Sequence, residues 1–391
     1  MRFADALRQP GFGAIAEFKR RSPSAGSLRA GGDPAETART YERAGARAMS
    51  VLVDERFDGA WNDLRAARAA TPLPLLAKGF FRDADDLRTA VFAGADAVLL
   101  LLRDLDDGRS AALMREAAAL GLDTLVEAHD AAELERALAL DAPIVGVNAR
   151  DLSTFRIDRR AQLELVARAS GRAGGTRVVV AESGIETRAQ AAAAELAGAN
   201  AVLVGSTLMR AADPGVRLAE LVSRPLVKVC GLTRQEDADA AVEAGADLLG
   251  FILAAESPRR TDELLDAADT VLRVAVFVGE THETDADVVQ LYDRQNGHRS
   301  RDAVLLRRGR RVGTVVDLPW EAEDTSHLDR ARATQGRVML AGGLGPDNVG
   351  AAIAAVRPWA VDSARSTERE PGVKDHAKVR DFVQAAQRAT G

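Results

Sequence analysis

Along the first half of the chain, short β-rich apolar runs alternate with Ala-, Leu-, Glu- and Arg-rich stretches whose apolar residues recur at helical spacing. The runs at 14–18, 48–53, 73–78, 96–102, 123–127, 143–148, 177–182 and 200–205 predict eight strands. Stretches such as DADDLRTAVFAG, AALMREAAALG and AAELERALAL predict the helices between them. Gly45, Gly94, Gly121 and Gly198 stand where a helix must stop in a left-handed residue before the next strand. Strands separated by helices form parallel crossovers, and eight such units favour a closed barrel over an open doubly wound sheet. An Ala-Gly-Ala pattern at 44–48, 93–97 and 197–201 marks the helix-to-strand corner, and its return at 244–246 carries the repeat into the second half.

A helical stretch ends at Ser223, Pro225 follows, and a fresh apolar run starts at Leu226. Two domains are therefore expected, over 1–223 and 225–391, with a linker of only a few residues. In the second half LVKVCGL, LLGFIL, RVAVFVG, DVVQLY, RVGTVVDL, RVMLAGGL and PWAVDSA read as strands. Between Gln290 and Asp317 the repeat is disturbed, because only 27 residues separate them and a single βα unit takes about 25 to 30. Either AVLLRRGRRVGTVVD forms a hairpin turning near Gly309, or DRQNGHRSRD is a loop and one helix is missing. The expected fold class is α/β, with two (β/α)8 TIM-type barrels in tandem, the second shortened and irregular between residues 290 and 317.

Composition narrows the picture without changing it. At 391 residues, 47% of them apolar and 28% charged, the chain has the makings of two soluble cores. A net charge of −6 with both signs interspersed predicts neither a nucleic-acid nor a membrane partner. The lone cysteine, Cys230, excludes an internal disulfide framework, and MRFADALRQPGFG has no apolar signal-peptide segment, so a cytoplasmic location is expected. Histidines at 129, 282, 298, 327 and 376 make no His-x-x-x-His pair, and no metal site is expected.

What sets the apolar runs apart is how they end. AIAEFKRRSPS delivers Glu17 and Lys19, PLLAKGF Lys78, TLVEAHD Glu127, IVGVNARDL Asn148 and Arg150, and VVVAESGI Glu182 and Ser183. A parallel barrel gathers such residues at one mouth. Glu17 and Lys19 share a strand face with Phe18 on the other, and inward charge is unfavourable unless it has a function. Partial burial is expected to lower the pKa of Lys78, making it a proton donor at neutral pH; burial raises Glu127 and Lys78 lowers it. Singly these residues read as a surface lysine and ordinary ion-pair partners; in this order they read as a site. Gly205 and Ser206 follow the eighth run, where barrels often hold phosphate on backbone amides.

The motifs IAEFKRRSPSAG, AKGFFRDADDLRTAVFAGADAVLLLL, LVEAHDAAELERAL, VGVNARDLSTFRID, VAESGI and GANAVLVGSTLMR resemble, in sequence and order, the indole-3-glycerol-phosphate synthase family over Ile15 to Met209. The resemblance implies cyclisation of 1-(2-carboxyphenylamino)-1-deoxyribulose 5-phosphate with loss of carbon dioxide and water, and no cofactor. It implies that Lys78 is the general acid toward the substrate carbonyl, with Glu127, Glu17 and Lys19 as acid/base and charge partners. Asn148, Arg150, Glu182 and Ser183 would line the anthranilate and ribulose portions, and Ser22, Gly184, Gly205 and Ser206 would hold the phosphate. Fourteen residues precede Ile15 where the family carries a longer helical extension, so weaker closure over the substrate is expected.

Further on, VKVCGLTRQEDADAAVEAGADLLGFIL, SPRR, AVFVG, VMLAGGLGPDNV and PGVKDHAKV resemble phosphoribosylanthranilate isomerase. An Amadori rearrangement is implied, with Cys230 as general base, Asp317 as general acid, Arg259 on the anthranilate carboxylate, and Gly342 and Gly343 at the phosphate. Gln290-Leu291-Tyr292-Asp293 stands for the family's Gln-Leu-His-Gly, LPWEAEDTSH for a glycine-rich loop, and Ala364-Arg365-Ser366-Thr367-Glu368 for Ser-Ser-Gly-Val-Glu. Arg307, Arg308, Arg310 and Arg311 are expected at a solvated turn, a phosphate contact being the less favoured alternative. Together the resemblances imply two enzymes of tryptophan biosynthesis on one chain, acting on phosphorylated anthranilate-ribose small molecules; separately, a monomer is expected. The alternative is a synthase fused to a degenerate isomerase that only binds ligand or a partner.

Overall fold

The computed structural model describes residues 2–22, 26–151, 154–171, 177–295, 298–317 and 326–389. They divide into two compact units, 1–186 with 191–223, and 187–190 with 224–391.

In the first unit α1 (Phe3–Arg8) precedes β1 (Gly13–Phe18), and seven further strands follow: β2 (Ala48–Leu52), β3 (Leu75–Lys78), β4 (Ala97–Leu101), β5 (Asp123–Ala128), β6 (Ile144–Asn148), β7 (Val178–Glu182) and β8 (Ala201–Val204). They close into one barrel in sequence order, every pairing parallel, with β1 joined to β8 through Gly13 opposite Ala201. Between the strands run α2 (Pro34–Arg43), α3 (Trp61–Ala70), α4 (Ala84–Ala93), α5 (Asp107–Ala119), α6 (Ala131–Ala139), α7 (Arg159–Gly171) and α8 (Arg188–Ala197), and after β8 come α9 (Ser206–Arg210) and α10 (Pro214–Val222). Local chemistry sets these boundaries. Asp83 caps α4 by accepting from the amides of Asp85 and Asp86, Asp86 returns the bond to the cap, and Gly94 ends the helix at φ 91°.

Strand alternation sorts the side chains into two layers. Outward residues such as Phe18, Met49, Val51, Leu75, Val126 and Val147 pack beneath the helices. Inward residues Ile15, Ala48, Leu76, Leu99, Leu125, Ile144, Val180 and Leu203 fill the barrel, and Phe3, Ala4 and Leu7 of α1 close its floor. Each such burial contributes about 1.5–3 kcal/mol for a large side chain, so the floor is a stability element. Asp123, at the start of β5, fixes α1 by accepting from the amide of Ala4 at 2.9 Å and from Arg2 at 2.8 Å.

The second unit is a closed barrel of eight strands as well: β9 (Leu226–Cys230), β10 (Leu248–Ile252), β11 (Leu272–Val278), β12 (Val288–Gln295), β13 (His298–Arg307), β14 (Arg310–Asp317), β15 (Val338–Ala341) and β16 (Ala360–Ser363). Helices α11 (Gln235–Glu243), α12 (Ser326–Ala333), α13 (Val349–Val356) and α14 (His376–Arg388) cover β9 and the last strands, whereas 253–271 and 279–287 join parallel strands without a helix.

The disturbed stretch is a three-strand meander. β13 is antiparallel to both β12 and β14, while β14 pairs parallel with β15. The hairpin near Gly309 is present, and DRQNGHRSRD forms strand on both sides of residues 296–297 rather than a loop. Only Arg308 and Gly309 join β13 to β14, at φ 48° and 75°, and two left-handed residues can connect only antiparallel neighbours. Two reversals restore the original direction, so Asp317 still ends its strand at the mouth. The arginines at 307, 308, 310 and 311 gather at the opposite end of the barrel, away from any phosphate bound at the mouth. Of the LPWEAEDTSH stretch, residues 318–325 lie outside the described residues.

Candidate active sites

Register places the charged strand ends of the first barrel at one height. Leu52 pairs with Lys78, Leu101 with Glu127, and Asn148 with Glu182. A cavity of about 1000 Å³ opens there, lined by Glu17, Lys19, Ser22, Lys78, Glu127, Asn148, Arg150, Ser183, Gly184, Gly205 and Ser206 among others. Glu182 lies just behind it, fully buried. All the residues read from the first half thus meet around one space.

Lys78 stands at the centre. Its Nζ is 2.8 Å from Glu182 Oε2, 3.4 Å from Glu17 Oε2 and 3.8 Å from Glu127 Oε2, while Lys19 pairs with Glu17 at 2.6 Å. Burial alone depresses a lysine, but here Glu182, Glu17 and Glu127 outweigh it and hold Lys78 well above its ordinary value. The expectation of a lowered Lys78 is thereby overturned: sequence reading counted the burial and one carboxylate, and three converge. Burial likewise opposes the ionisation of Glu127, yet Lys78, His129 and Asn148 hold it down to about 2. Glu182 goes the other way, pushed up to about 8 by burial and the Glu127 charge despite Lys78. Glu127 Oε2 and Glu182 Oε1 are both buried without a hydrogen-bond partner, so a second negative charge here is opposed and Glu182 is the carboxyl that keeps its proton.

Outer groups fix this cluster. Asn148 donates to Glu127 Oε1 at 3.1 Å, and His129 sits between Glu127, at 3.1 Å, and Glu133, at 3.0 Å. Burial disfavours its charge, but the two carboxylates raise His129 to about 10. After β7 the chain turns through Ser183 and Gly184, at φ 68° and 67°, a left-handed pair that points backbone into the mouth. After β6, Asp151 and Arg156 pair their backbones and carry Phe155 and Ile157 onto the cavity wall. The sequence reading missed these two, and also Arg56 and Arg103, which reach the cavity from the segments after β2 and β4, and Arg210, which reaches it from the end of α9. Leu99, Leu101 and Leu203 were findable, since they share the inward parity of their strands.

At the mouth of the second barrel, fully buried Lys228 donates to Gln290 Oε1 at 2.8 Å, Asp362 Oδ2 at 3.1 Å and Cys230 Sγ at 3.3 Å. Gln290 in turn donates to the Tyr292 hydroxyl at 2.8 Å. Burial pushes the Cys230 thiol up, with Lys228 pulling the other way. Asp317 pairs with Arg299 at 3.1 Å. Arg259 is held by Glu368 at 2.8 Å, and Lys374 reaches the same carboxylate at 3.2 Å. Gly342 and Gly343, at φ 96° and 81°, follow β15 at the same end. Among the described residues no group of side chains is arranged to hold a metal ion, and no helix is long and apolar enough to cross a membrane.

The family model for indole-3-glycerol phosphate synthase matches residues 1–221. The chain belongs to the indole-3-glycerol phosphate synthase family. An indole-3-glycerol phosphate synthase 2 from Streptomyces coelicolor is 48% identical over 221 residues, 56% of this chain and 84% of that protein. The synthase of Mycobacterium ulcerans is 44% identical over 219 residues, 56% of this chain and 79% of that protein. Beyond the synthase region, the model for N-(5'phosphoribosyl)anthranilate isomerase matches residues 299–385, from the start of β13 into α14. A solved phosphoribosyl anthranilate isomerase from Thermotoga maritima is 27% identical, covering 42% of this chain and 99% of its own, with a TM-score of 0.34.

Proposed function

We propose that the first unit converts 1-(2-carboxyphenylamino)-1-deoxyribulose 5-phosphate to indole-3-glycerol phosphate, and that the second isomerises N-(5-phosphoribosyl)anthranilate to that substrate, so that residues 1–223 and 225–391 are two enzymes of tryptophan biosynthesis. The observation that carries the synthase reading is Lys78 ringed by three carboxylates at the mouth of a barrel matched by the synthase family.

Ring closure turns a carbonyl oxygen into an alkoxide, a far stronger base than an amine, so even a lysine held above its ordinary value protonates it as charge develops. The ring carbon bearing the carboxylate bonds to the former carbonyl carbon, carbon dioxide departs, and its electron pair restores the aromatic ring. The new hydroxyl then takes a second proton and leaves as water. Glu127, kept ionised, receives the proton lost from the neighbouring carbon, and Lys19 with Glu17 balances the charge. Arg150, Phe155 and Ile157 suit the anthranilate, and the amides around Gly184, Gly205 and Ser206 with the Ser22 hydroxyl suit the phosphate.

In the second unit Asp317 protonates the furanose oxygen as the ring carbon–oxygen bond breaks, and Cys230 takes the proton from C2. Lys228, 3.3 Å from Cys230, steadies the thiolate. Arg259 meets the anthranilate carboxylate, and Gly342 and Gly343 the phosphate. The isomerase family match over residues 299–385 supports this reading. Separate assays of the purified chain with each substrate test both. Lys78→Met should remove synthase turnover by about 10²–10⁴-fold and leave the isomerase untouched; a chain that forms no indoleglycerol phosphate would sink the synthase reading.

A further inference from the structure

In a barrel whose strands all run one way, side chains reach the mouth only from the ends of strands and the loops after them. β13 runs against both its neighbours, so its first residues, and not its last, stand beside Asp317. Arg299 places Nη2 3.1 Å from Asp317 Oδ2, and its guanidinium lies 4.1 Å from the centre of the Tyr292 ring. Arg301 Nε donates to the Asp317 carbonyl at 3.0 Å, and the Asp317 amide donates to Asp302 Oδ1 at 3.2 Å. Arg330 of α12 holds Asp302 from behind. Side chain, carbonyl and amide of Asp317 are therefore each met by a residue of the reversed strand.

We propose that Arg299 is the positioning residue for the isomerase acid, delivered by a strand that runs backwards; the inference rests on the isomerase reading of the second unit. A half-exposed pair of this kind contributes little to stability, so its worth lies in geometry. The planar guanidinium lies over the Tyr292 face and directs Nη2 at the carboxyl, an arrangement that a lysine, with no plane to stack, cannot reproduce in full. Tyr292, which replaces the histidine of the resembling family, is what gives Arg299 its platform. Asp317 is thereby turned toward the barrel interior, where its charge is felt by Tyr292 and Asp362. As the proton passes from Asp317 to the furanose oxygen and that oxygen takes the electron pair of the breaking bond, a carboxylate forms against Arg299. The nearby cation stabilises it at the moment it appears.

The experiment uses the full chain with Arg299→Met, Arg299→Lys, Asp317→Asn and the Met/Asn double variant, assayed with phosphoribosylanthranilate. Arg299→Met should lower kcat by about 10²-fold with KM nearly unchanged. Arg299→Lys should recover part of the loss, and the double variant should be no slower than Asp317→Asn alone. Unaltered synthase turnover and an unaltered melting profile show that the variants fold. A rise in KM at constant kcat would make Arg299 a substrate contact and overturn the proposal, as would independent losses in the double variant. Full activity of Arg299→Met beside a dead Asp317→Asn sinks this inference alone, whereas a wild-type chain without isomerase turnover sinks the isomerase reading with it.

Discussion

Gly146 is bare for a reason found across the barrel. A Cβ there would lie 2.2 Å from Glu182 Oε1, so the missing side chain is the room in which that carboxyl meets Lys78 and Glu127. Gly250 does the same in the second unit, where a Cβ would come within 2.7 Å of Cys230 Sγ. Gly146→Ala should push Glu182 away from Lys78 and cut synthase kcat by about 10²-fold with the circular dichroism spectrum unchanged. Protonation gives a second check at this scale. His129 is raised from 6.5 to about 10 on folding, so its contribution to stability is complete below pH 6.5 and is lost as pH rises through about 10. Urea midpoints of the first unit should fall more steeply across that window in the wild type than in His129→Gln, the difference persisting above pH 8, where Glu182 has already ionised. For the isomerase, a thiol lifted above 9.0 means that kcat/KM should keep rising with pH and not level off below pH 9.

Among the elements, the turn between β13 and β14 is the one most open to improvement. Arg308 occupies a left-handed conformation that asparagine tolerates better, so Arg308→Asn should stabilise the second unit by up to about 1 kcal/mol, read as a later urea transition. This turn also shows where sequence reading ran out. The eight strands of the first barrel were legible because buried parallel strands are nearly continuous apolar runs, bounded here by glycine corners. The start of β13, His298 to Asp302, is charged because it lies at the mouth, and charge at a strand's beginning reads as loop when strands are assumed to run one way. In the site, strand-borne Lys78, Glu127 and Glu182 were legible, while Arg56 and Arg103 were not, since the path of a connecting segment leaves no periodic trace, and neither was Arg210, at the end of the five-residue α9, which is too short to show a period. The direction of the Lys78 shift was misjudged for a related reason: three carboxylates from three strands meet only once the barrel closes.

At the scale of the whole molecule, each barrel carries its own set of groups, and the product proposed for one is the substrate proposed for the other. Lys78→Met and Cys230→Ala chains, each unable to complete the sequence alone, should together convert phosphoribosylanthranilate to indole-3-glycerol phosphate when mixed. Absorbance of the indole product measures it, and failure of the mixture would mean that one substitution damages both activities.

The meander has a kinetic side too. Where a βα barrel ordinarily waits for distant segments to find one another, β12, β13 and β14 are successive antiparallel neighbours, Gln295 already facing His298 and β13 passing to β14 through Arg308 and Gly309 alone. Short loops close at little entropic cost, and chains rich in local contacts fold faster. The sheet between Val288 and Asp317 is therefore expected to pair early, as a surface on which β11 and β15 can dock.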